Sequence, residues 1–428
     1  MGNLCYAPFI HNYIHPNDGP RVCCASSDPL GSHTPESLDL EKHWQSKYYQ
    51  DIRKRMLAGE KLNMCDVCWG LEDDGIDSDR QMYTRKYKEH GSPKLDIVHG
   101  TEIGKPLDLD IRPSNLCNLK CRMCTPKYSS QLEKEQKKNP YLFKWTGDKQ
   151  FFSPNIMTEE NIKFLISGLT SQSDIKFLGG EPTIMPEVSQ MLDRLIDAGK
   201  TDCHISITTN CTNFNNQEMF NKLKKFNTVG AQLSIDGTGK TLEYIRSPLH
   251  WDKAQEVITQ WIDVTNGRQI HFTLQALNLF NVYDFLFWLA DYNKAIRQKY
   301  ITLPVEFYII DGPDWSNIRN LPVDARHKEA ERILNITDPF VIRLINESDK
   351  PLSQCLKTLL NDSTEGNLWK LARATKDFDT ARNQHIKDYI PIIYSYIEDI
   401  YKQIPDHSIL SNQNRPEWIS KHPVTFLP

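Results

Sequence analysis

The stretch Leu107 to Thr125, LDLDIRPSNLCNLKCRMCT, decides how the chain is read. Apolar residues alternate at Leu107, Leu109 and Ile111, the period of a half-buried strand, and Pro113 ends the run. Just beyond, Cys117, Cys121 and Cys124 form a C-x3-C-x2-C array on a short loop. The pattern predicts a strand that delivers three thiolates to one point. Three soft ligands so close together suit an iron–sulfur cluster, because the tight spacing brings all three to one face of a cubane. A 4Fe–4S cluster takes four ligands, so the lack of a fourth cysteine leaves one iron open to a small molecule. A zinc ion with three cysteines and water is a competing reading, and three unligated core cysteines a third.

Outward from this loop, strand-like runs recur at 174–178, 203–208, 229–235, 270–277 and 305–310. Helical patterns at 158–169, 186–198 (stopped by Gly199), 216–226, 250–264 and 282–299 separate them. Such alternation predicts a parallel sheet with crossover helices. Six strands are too few for an eight-stranded barrel, which leaves an open doubly wound sheet or a partial barrel. The unusual residues fall just past each strand end: the cysteine triplet, Gly179-Gly180-Glu181-Pro182, Thr208-Thr209-Asn210, Ser234-Ile235-Asp236-Gly237, Gln275 to Asn278, and Asp311-Gly312. In parallel α/β folds the carboxyl ends of the strands form the active face, so the candidate chemistry converges on one rim. Each motif also has a plainer reading as strand-end turn chemistry.

Triplet, GGEP and βα units together resemble the radical S-adenosylmethionine (SAM) enzymes, whose signature is C-x3-C-x-aromatic-C. Met123 stands where that family more often has an aromatic beside the adenine. The resemblance implies a partial (β/α)6 barrel of the radical SAM type and a 4Fe–4S cluster on Cys117, Cys121 and Cys124. It also implies SAM contacts from Gly179, Gly180, Glu181, Thr209, Asn210, Ser234, Arg246 and Met123. In the family the GGEP motif holds the methionine amino group, and Arg246 would pair with the SAM carboxylate through its planar fork.

Residues 1–94 hold Cys5, Gly19, Cys24 and then Cys65-Asp-Val-Cys68, with Cys23 beside Cys24. Between them Thr34 and Pro35 offer a cap and first turn to a helix running to Leu57. The layout resembles the SPASM/twitch auxiliary-cluster modules of the same family, in which C-x(9–15)-G-x4-C is followed by C-x2-C; Trp44 and Arg53 lie in the helix such modules carry. Here the module comes first in the chain, and a further C-x5-C-x3-C is absent. One auxiliary 4Fe–4S cluster is implied, on Cys5, Cys24, Cys65 and Cys68, with Cys23 as a possible replacement for Cys24. A four-cysteine zinc site would require the same residues.

The expected domains are therefore 1–94 (auxiliary module and linker), 95–312 (partial barrel) and 313–428 (a helical region, with patterns at Val323 to Leu334, Pro351 to Leu360, and Asp377 to Gln403 broken at Pro391). A net charge of −4 gives no global field to recruit nucleic acid. The basic, aromatic linker Asp79 to Lys94 reads as a solvated helix face rather than a nucleic-acid contact. No apolar run spans a bilayer and the first residues lack a signal pattern, so a cytoplasmic protein is expected. Eleven cysteines in a reducing compartment point to clusters rather than disulfides. Cys203 and Cys355 read as core residues and Cys211 as a rim thiol. The family resemblance implies reductive cleavage of SAM to a 5′-deoxyadenosyl radical that abstracts hydrogen from a peptide, protein or small-molecule substrate. A flavodoxin or ferredoxin would supply the electron. No residue is assigned a catalytic role. Modification of RNA or a nucleotide, and a non-catalytic zinc scaffold, are the alternative readings.

Overall fold

Eight strands form one sheet: β1 (His11–His15), β2 (Gly19–Arg21), β3 (Asp108–Ile111), β4 (Asp174–Phe177), β5 (His204–Thr209), β6 (Thr228–Ser234), β7 (Gly267–Leu274) and β8 (Val305–Ile309). Their order is β2-β1-β3-β4-β5-β6-β7-β8, parallel throughout except that β2 runs against β1. The computed structural model describes residues 3–15, 19–27, 39–73, 77–91, 104–143, 156–213, 216–296, 303–310 and 312–404. The six strands expected from the sequence are β3 to β8.

Alternation sets the two faces. Ile205 and Ile207 of β5, Val229, Ala231 and Leu233 of β6, and Ile270, Phe272 and Leu274 of β7 are buried. They join one core with Val188, Met191, Leu192 and Leu195 of the Pro186–Asp197 helix and Val257, Ile258 and Trp261 of the Trp251–Ile262 helix. The opposite face is polar: Asp110, Lys176, Ser206, Gln232, His271, Glu306 and Tyr308 fall on it by register. The sheet curls around this polar face. Tyr308 on β8 lies within the field of Asp79, which opens the helix packed beside β1, and His271 on β7 within that of Lys176 on β4. The result is a partial barrel with a polar lumen.

β1 joins the sheet in parallel with β3, His11 opposite Asp108 and Ile14 opposite Ile111. Five residues reading HNYIH carry no clear apolar alternation, so the pairing is invisible in the sequence. The N-terminal module is thereby built into the barrel, and Ile10, Ile14 and Trp44 share one core with Leu109 and Ile175. The proposed start at Thr34 and Pro35 lies outside the described residues. Where a single helix to Leu57 was expected there are two, Leu40–Trp44 capped by Asp39 and Lys47–Leu57 capped by Ser46. Arg53, fully buried, donates to the carbonyls of Pro8 (2.7 Å) and Trp44 (2.8 Å) and stacks on the Trp44 ring, fixing the segment after Cys5.

The linker Asp79–Glu89 is a helix opened by a Ser78–Gln81 capping box. Its cations are used internally: Arg80 on Glu72, Arg85 on Asp77, and Lys86 on Asp174 and Asp108. Beyond β8 the chain is helical, with Val323–Leu334, Pro339–Asn346, Leu352–Asn361, Leu368–Arg382 and Pro391–Gln403. The expected break near Pro391 is a longer interruption, begun by Asn383 in the left-handed region (φ 51°). No helix among the described residues is long and apolar enough to cross a membrane.

Candidate active site

Cys117, Cys121 and Cys124 sit on the loop after β3, and each thiol of the set feels another: Cys121 raises Cys117, and both raise Cys124. Burial pushes all three up, Cys117 to about 12, so a cation that displaces their protons must offset that desolvation. Arg246 provides part of the offset. Its Nη1 donates to Cys121 Sγ at 3.9 Å, and its Nε donates to the buried Asp236 carboxylate at 2.6 Å.

The loop is braced from three sides. The amides of Lys120 and Arg122 donate to the carbonyls of Ser247 and Ile245, both at 2.7 Å. From β4, Glu181 N donates to Leu116 O at 2.8 Å. The two glycines ahead of Glu181 allow this approach. A Cβ on Gly180 would lie 2.2 Å from Leu116 O, and Gly179, at φ +112°, has Ser114 O at 2.9 Å from the same position. These glycines are therefore required by the cysteine loop itself.

Glu181 is wholly buried, and its carboxylate accepts from Thr183 N (3.2 Å), Thr183 Oγ1 (2.6 Å), Thr209 Oγ1 (2.8 Å) and Asn210 N (2.7 Å). Oε1 takes three of these bonds, filling the capacity of that oxygen. Burial raises the Glu181 carboxyl above its ordinary range, against the pull of these donors. Glu181 and Thr209 thus tie the end of β4 to the end of β5. Asn210 Nδ2 in turn reaches Asn118 Oδ1 (3.0 Å) and Cys117 Sγ (3.9 Å). Met123 is half-buried between the last two cysteines. The Ser234 hydroxyl and the second terminal nitrogen of Arg246 carry no bond among the described residues. The Gln275 amide, fully buried, has neither of its polar atoms paired. With the buried, unbonded Ser114 hydroxyl on the loop after β3, these are polar groups among the described residues left to meet a ligand at the rim.

The third brace comes from the C-terminal helices and has no sequence signal. Arg122, between two of the cysteines, donates through Nη2 to Asp379 Oδ1 (2.7 Å) and Gln384 Oε1 (2.9 Å), through Nε to Tyr244 O (3.0 Å), and covers the Tyr244 ring at 3.6 Å. Asp379 also accepts from the hydroxyls of Tyr244 (2.7 Å) and Tyr401 (2.8 Å) and from Ile386 N (2.8 Å). Beside it, Glu135 is held by Lys120 (2.9 Å) and Arg382 (2.7 Å). Arg122 Nη1 and Arg382 Nη1 are buried with no hydrogen-bond partner among the described residues. Three soft ligands with an arginine N–H at one sulfur, and the positive fields of Arg246 and Arg382 at Cys121, are a donor set that fits an anionic iron–sulfur–thiolate group.

A second cysteine site lies at the opposite ends of the strands. Cys5, Cys23, Cys65 and Cys68 line one small cavity with Arg80 and Tyr83. Tyr83 packs on His11, the first residue of β1, at 4.6 Å between rings. Of the two adjacent thiols weighed from the sequence, Cys23 lines the cavity, while Cys24 is exposed, its Sγ 3.6 Å from the Asp79 carboxylate. Burial raises both thiols, Cys23 well above its ordinary value and Cys24 to about 11, and Asp79 adds to both, so it is the cavity lining that distinguishes the two. Cys65 and Cys68 stand at the start of the Asp66–Asp73 helix rather than on a hairpin knuckle. Among the described residues no three His, Cys, Asp or Glu are grouped as ligands of a single ion. The other cysteines are packed: Cys203 and Cys211 have no exposure, and Cys355 is half-buried near Phe307 O. Cys211 is on the rim but inaccessible.

Residues 111–272 match the model of the radical SAM superfamily. Similar solved structures include hexahistidine-tagged anSMEcpe with bound AdoMet, 20% identical over 54% of this chain and 59% of that one, TM-score 0.38. A second is native anSMEcpe with bound AdoMet and Kp18Cys peptide (19%; 53% and 59%; 0.37). A third is Streptococcus suis SuiB bound to precursor peptide SuiA (15%; 69% and 59%; 0.32). The chain spans less than two thirds of the length of each of these. Scores of this size establish no shared substrate. No curated protein matches.

Proposed function

The chain carries a radical SAM domain over residues 111–272, and on that premise we propose a SAM-dependent radical enzyme that oxidatively modifies a peptide or protein side chain. The carrying observation is the braced triplet, three thiols on one loop with Arg246 at a sulfur and no fourth cysteine in the set. A 4Fe–4S cluster held there by Cys117, Cys121 and Cys124 would supply, with one electron from a flavodoxin- or ferredoxin-type donor, the reductive cleavage of SAM to a 5′-deoxyadenosyl radical. The chain's own residues orient and exclude. Gly179, Gly180 and Glu181 hold the cysteine loop against β4, Arg246 and Ser234 would orient the sulfonium substrate, and the lumen below would receive the second substrate away from bulk water.

Cys5, Cys23, Cys65 and Cys68 are proposed to hold an auxiliary 4Fe–4S cluster. Four cysteines leave no open iron, so that group would carry electrons rather than bind substrate, which suits a net oxidation. In the family resembled, such modules accompany peptide and protein modification, which is why a side chain is preferred over a small molecule. An RNA substrate has lost its motivation, since Arg80, Arg85 and Lys86 of the linker serve internal ion pairs.

The test is anaerobic reconstitution with iron and sulfide, then dithionite and SAM. 5′-Deoxyadenosine is the expected product. Its absence with both clusters intact overturns the reading, and zinc bound in place of iron establishes the scaffold alternative. Cys121→Ala should abolish the product while leaving the N-terminal iron in place.

A further inference from the structure

The C-terminal helices lie beyond residues 111–272, yet they bring charge to the cysteine loop. Arg382, the last residue of the Leu368–Arg382 helix, and Arg122, on the loop itself, share one aromatic ring. Their guanidinium carbons lie 4.7 and 5.5 Å from the centre of Phe378. Phe378 belongs to a small core with Leu132, Phe143, Trp315 and Ala374, and Cys124 packs against that core. The two arginine side chains are 2% and 1% exposed. Burial, and then the like charge of Arg122, pull the Arg382 guanidinium below its ordinary value.

Each arginine has a carboxylate, but Arg382 does not have its own to itself. Asp379 holds Arg122 at 2.7 Å, whereas Glu135 holds Arg382 at 2.7 Å and also Lys120, the residue before Cys121, at 2.9 Å. Two like charges brought under cover on one ring are unfavourable unless an anion lies near them. The iron–sulfur–thiolate group proposed for the triplet is such an anion. Cys121 lies in the fields of Arg246, Asp236 and Arg382. One-electron reduction adds a negative charge to that group, and a nearby buried cation stabilises the reduced form more than the oxidised one.

We propose that Arg382 is a positioning residue for the triplet site: held by Glu135 and Phe378, its charge favours the reduced iron–sulfur group and so eases the electron transfer that begins SAM cleavage. The proposal rests on the reading of Cys117, Cys121 and Cys124 as cluster ligands, and it extends that machinery to a helix outside the matched domain. The electron comes from the flavodoxin- or ferredoxin-type donor already invoked. Arg382 itself is neither oxidised nor deprotonated.

The experiment is a redox titration of the reconstituted full chain, followed by electron paramagnetic resonance through the reduced-cluster signal that added SAM perturbs. Arg382→Gln should lower the equilibrium constant for reduction about tenfold, a shift of roughly 59 mV to more negative potential. Glu135→Gln removes a negative charge and keeps the cation, so its potential should move the opposite way. A helix merely loosened would move both variants in one direction. Arg382→Lys, which retains the charge, should stay close to the wild type. Wild-type potentials in both Gln variants, shifts of the same sign, or a Lys variant that titrates like Arg382→Gln overturn the inference. If Arg382→Gln takes up no iron at the triplet, Glu135→Gln decides alone: a raised potential supports the role of Arg382 and an unchanged one overturns it. A wild type whose signal SAM leaves untouched strikes the cluster reading and this inference together. Unchanged variant potentials with 5′-deoxyadenosine still formed strike only the role of Arg382.

Discussion

Gly180 shows how much a single hydrogen atom in place of a methyl group can decide. The carbonyl of Leu116 occupies the place a side chain would take, so Gly180→Ala must push the cysteine loop off β4. We expect that variant to fold around its sheet yet lose about half of its reconstituted iron, as read by iron and sulfide analysis, with the N-terminal half retained. The adjacent cysteines make a complementary comparison. Cys23→Ser should remove the N-terminal iron, whereas Cys24→Ser should keep it, because only Cys23 opens on the cavity shared by Cys5, Cys65 and Cys68. If Cys24→Ser strips that iron and Cys23→Ser does not, the assignment of the fourth ligand is reversed.

At the scale of elements, two carboxylates, Asp379 buried and Asp174 partly exposed, join helices to the barrel. Asp379 receives Arg122, Tyr244 and Tyr401, and so connects the Leu368–Arg382 and Pro391–Gln403 helices to the triplet loop. Asp379→Asn leaves the buried Arg122 charge uncompensated, and a loss of about 3–5 kcal/mol is expected in denaturant unfolding. Asp174 binds the Asp79–Glu89 helix to β4 and β5 through Lys86 and His204. Burial works to raise its pKa, but the His204 and Lys86 contacts outweigh burial and hold it below the ordinary value of 3.8. A depressed folded pKa stabilises above the unfolded value and loses that contribution as pH falls below it. Asp174→Asn should therefore lower the denaturant midpoint at pH 7 and make its decline between pH 4 and pH 3 shallower than in the wild type.

For the molecule as a whole, the sequence disclosed what local periodicity and spacing encode. β3 to β8 and the loops that carry the motifs after them stand where the residues suggested. What it hid depends on distance or on direction. The β1–β3 pairing joins segments about a hundred residues apart through a strand without alternation. Cys23 and Cys24 differ only in which way a turn points them. Glu181 and Gly180 were legible as a motif but not as braces, since their partners, Leu116 and Asn210, lie on other strands' loops. The two cysteine sites stand at opposite ends of strands four or five residues long, a separation of roughly 15 Å along the barrel. On the proposed function, a substrate in the lumen would lie between them.

The hub at Asp379 also bears on when the protein can be completed in the cell. Arg122 and Asp379 are 257 positions apart, and Tyr401 follows 22 later. During synthesis the thiols emerge long before the groups that hold their loop. A ribosome must finish nearly the whole described chain before the loop reaches its final shape, so the brace around the three thiols closes late in synthesis.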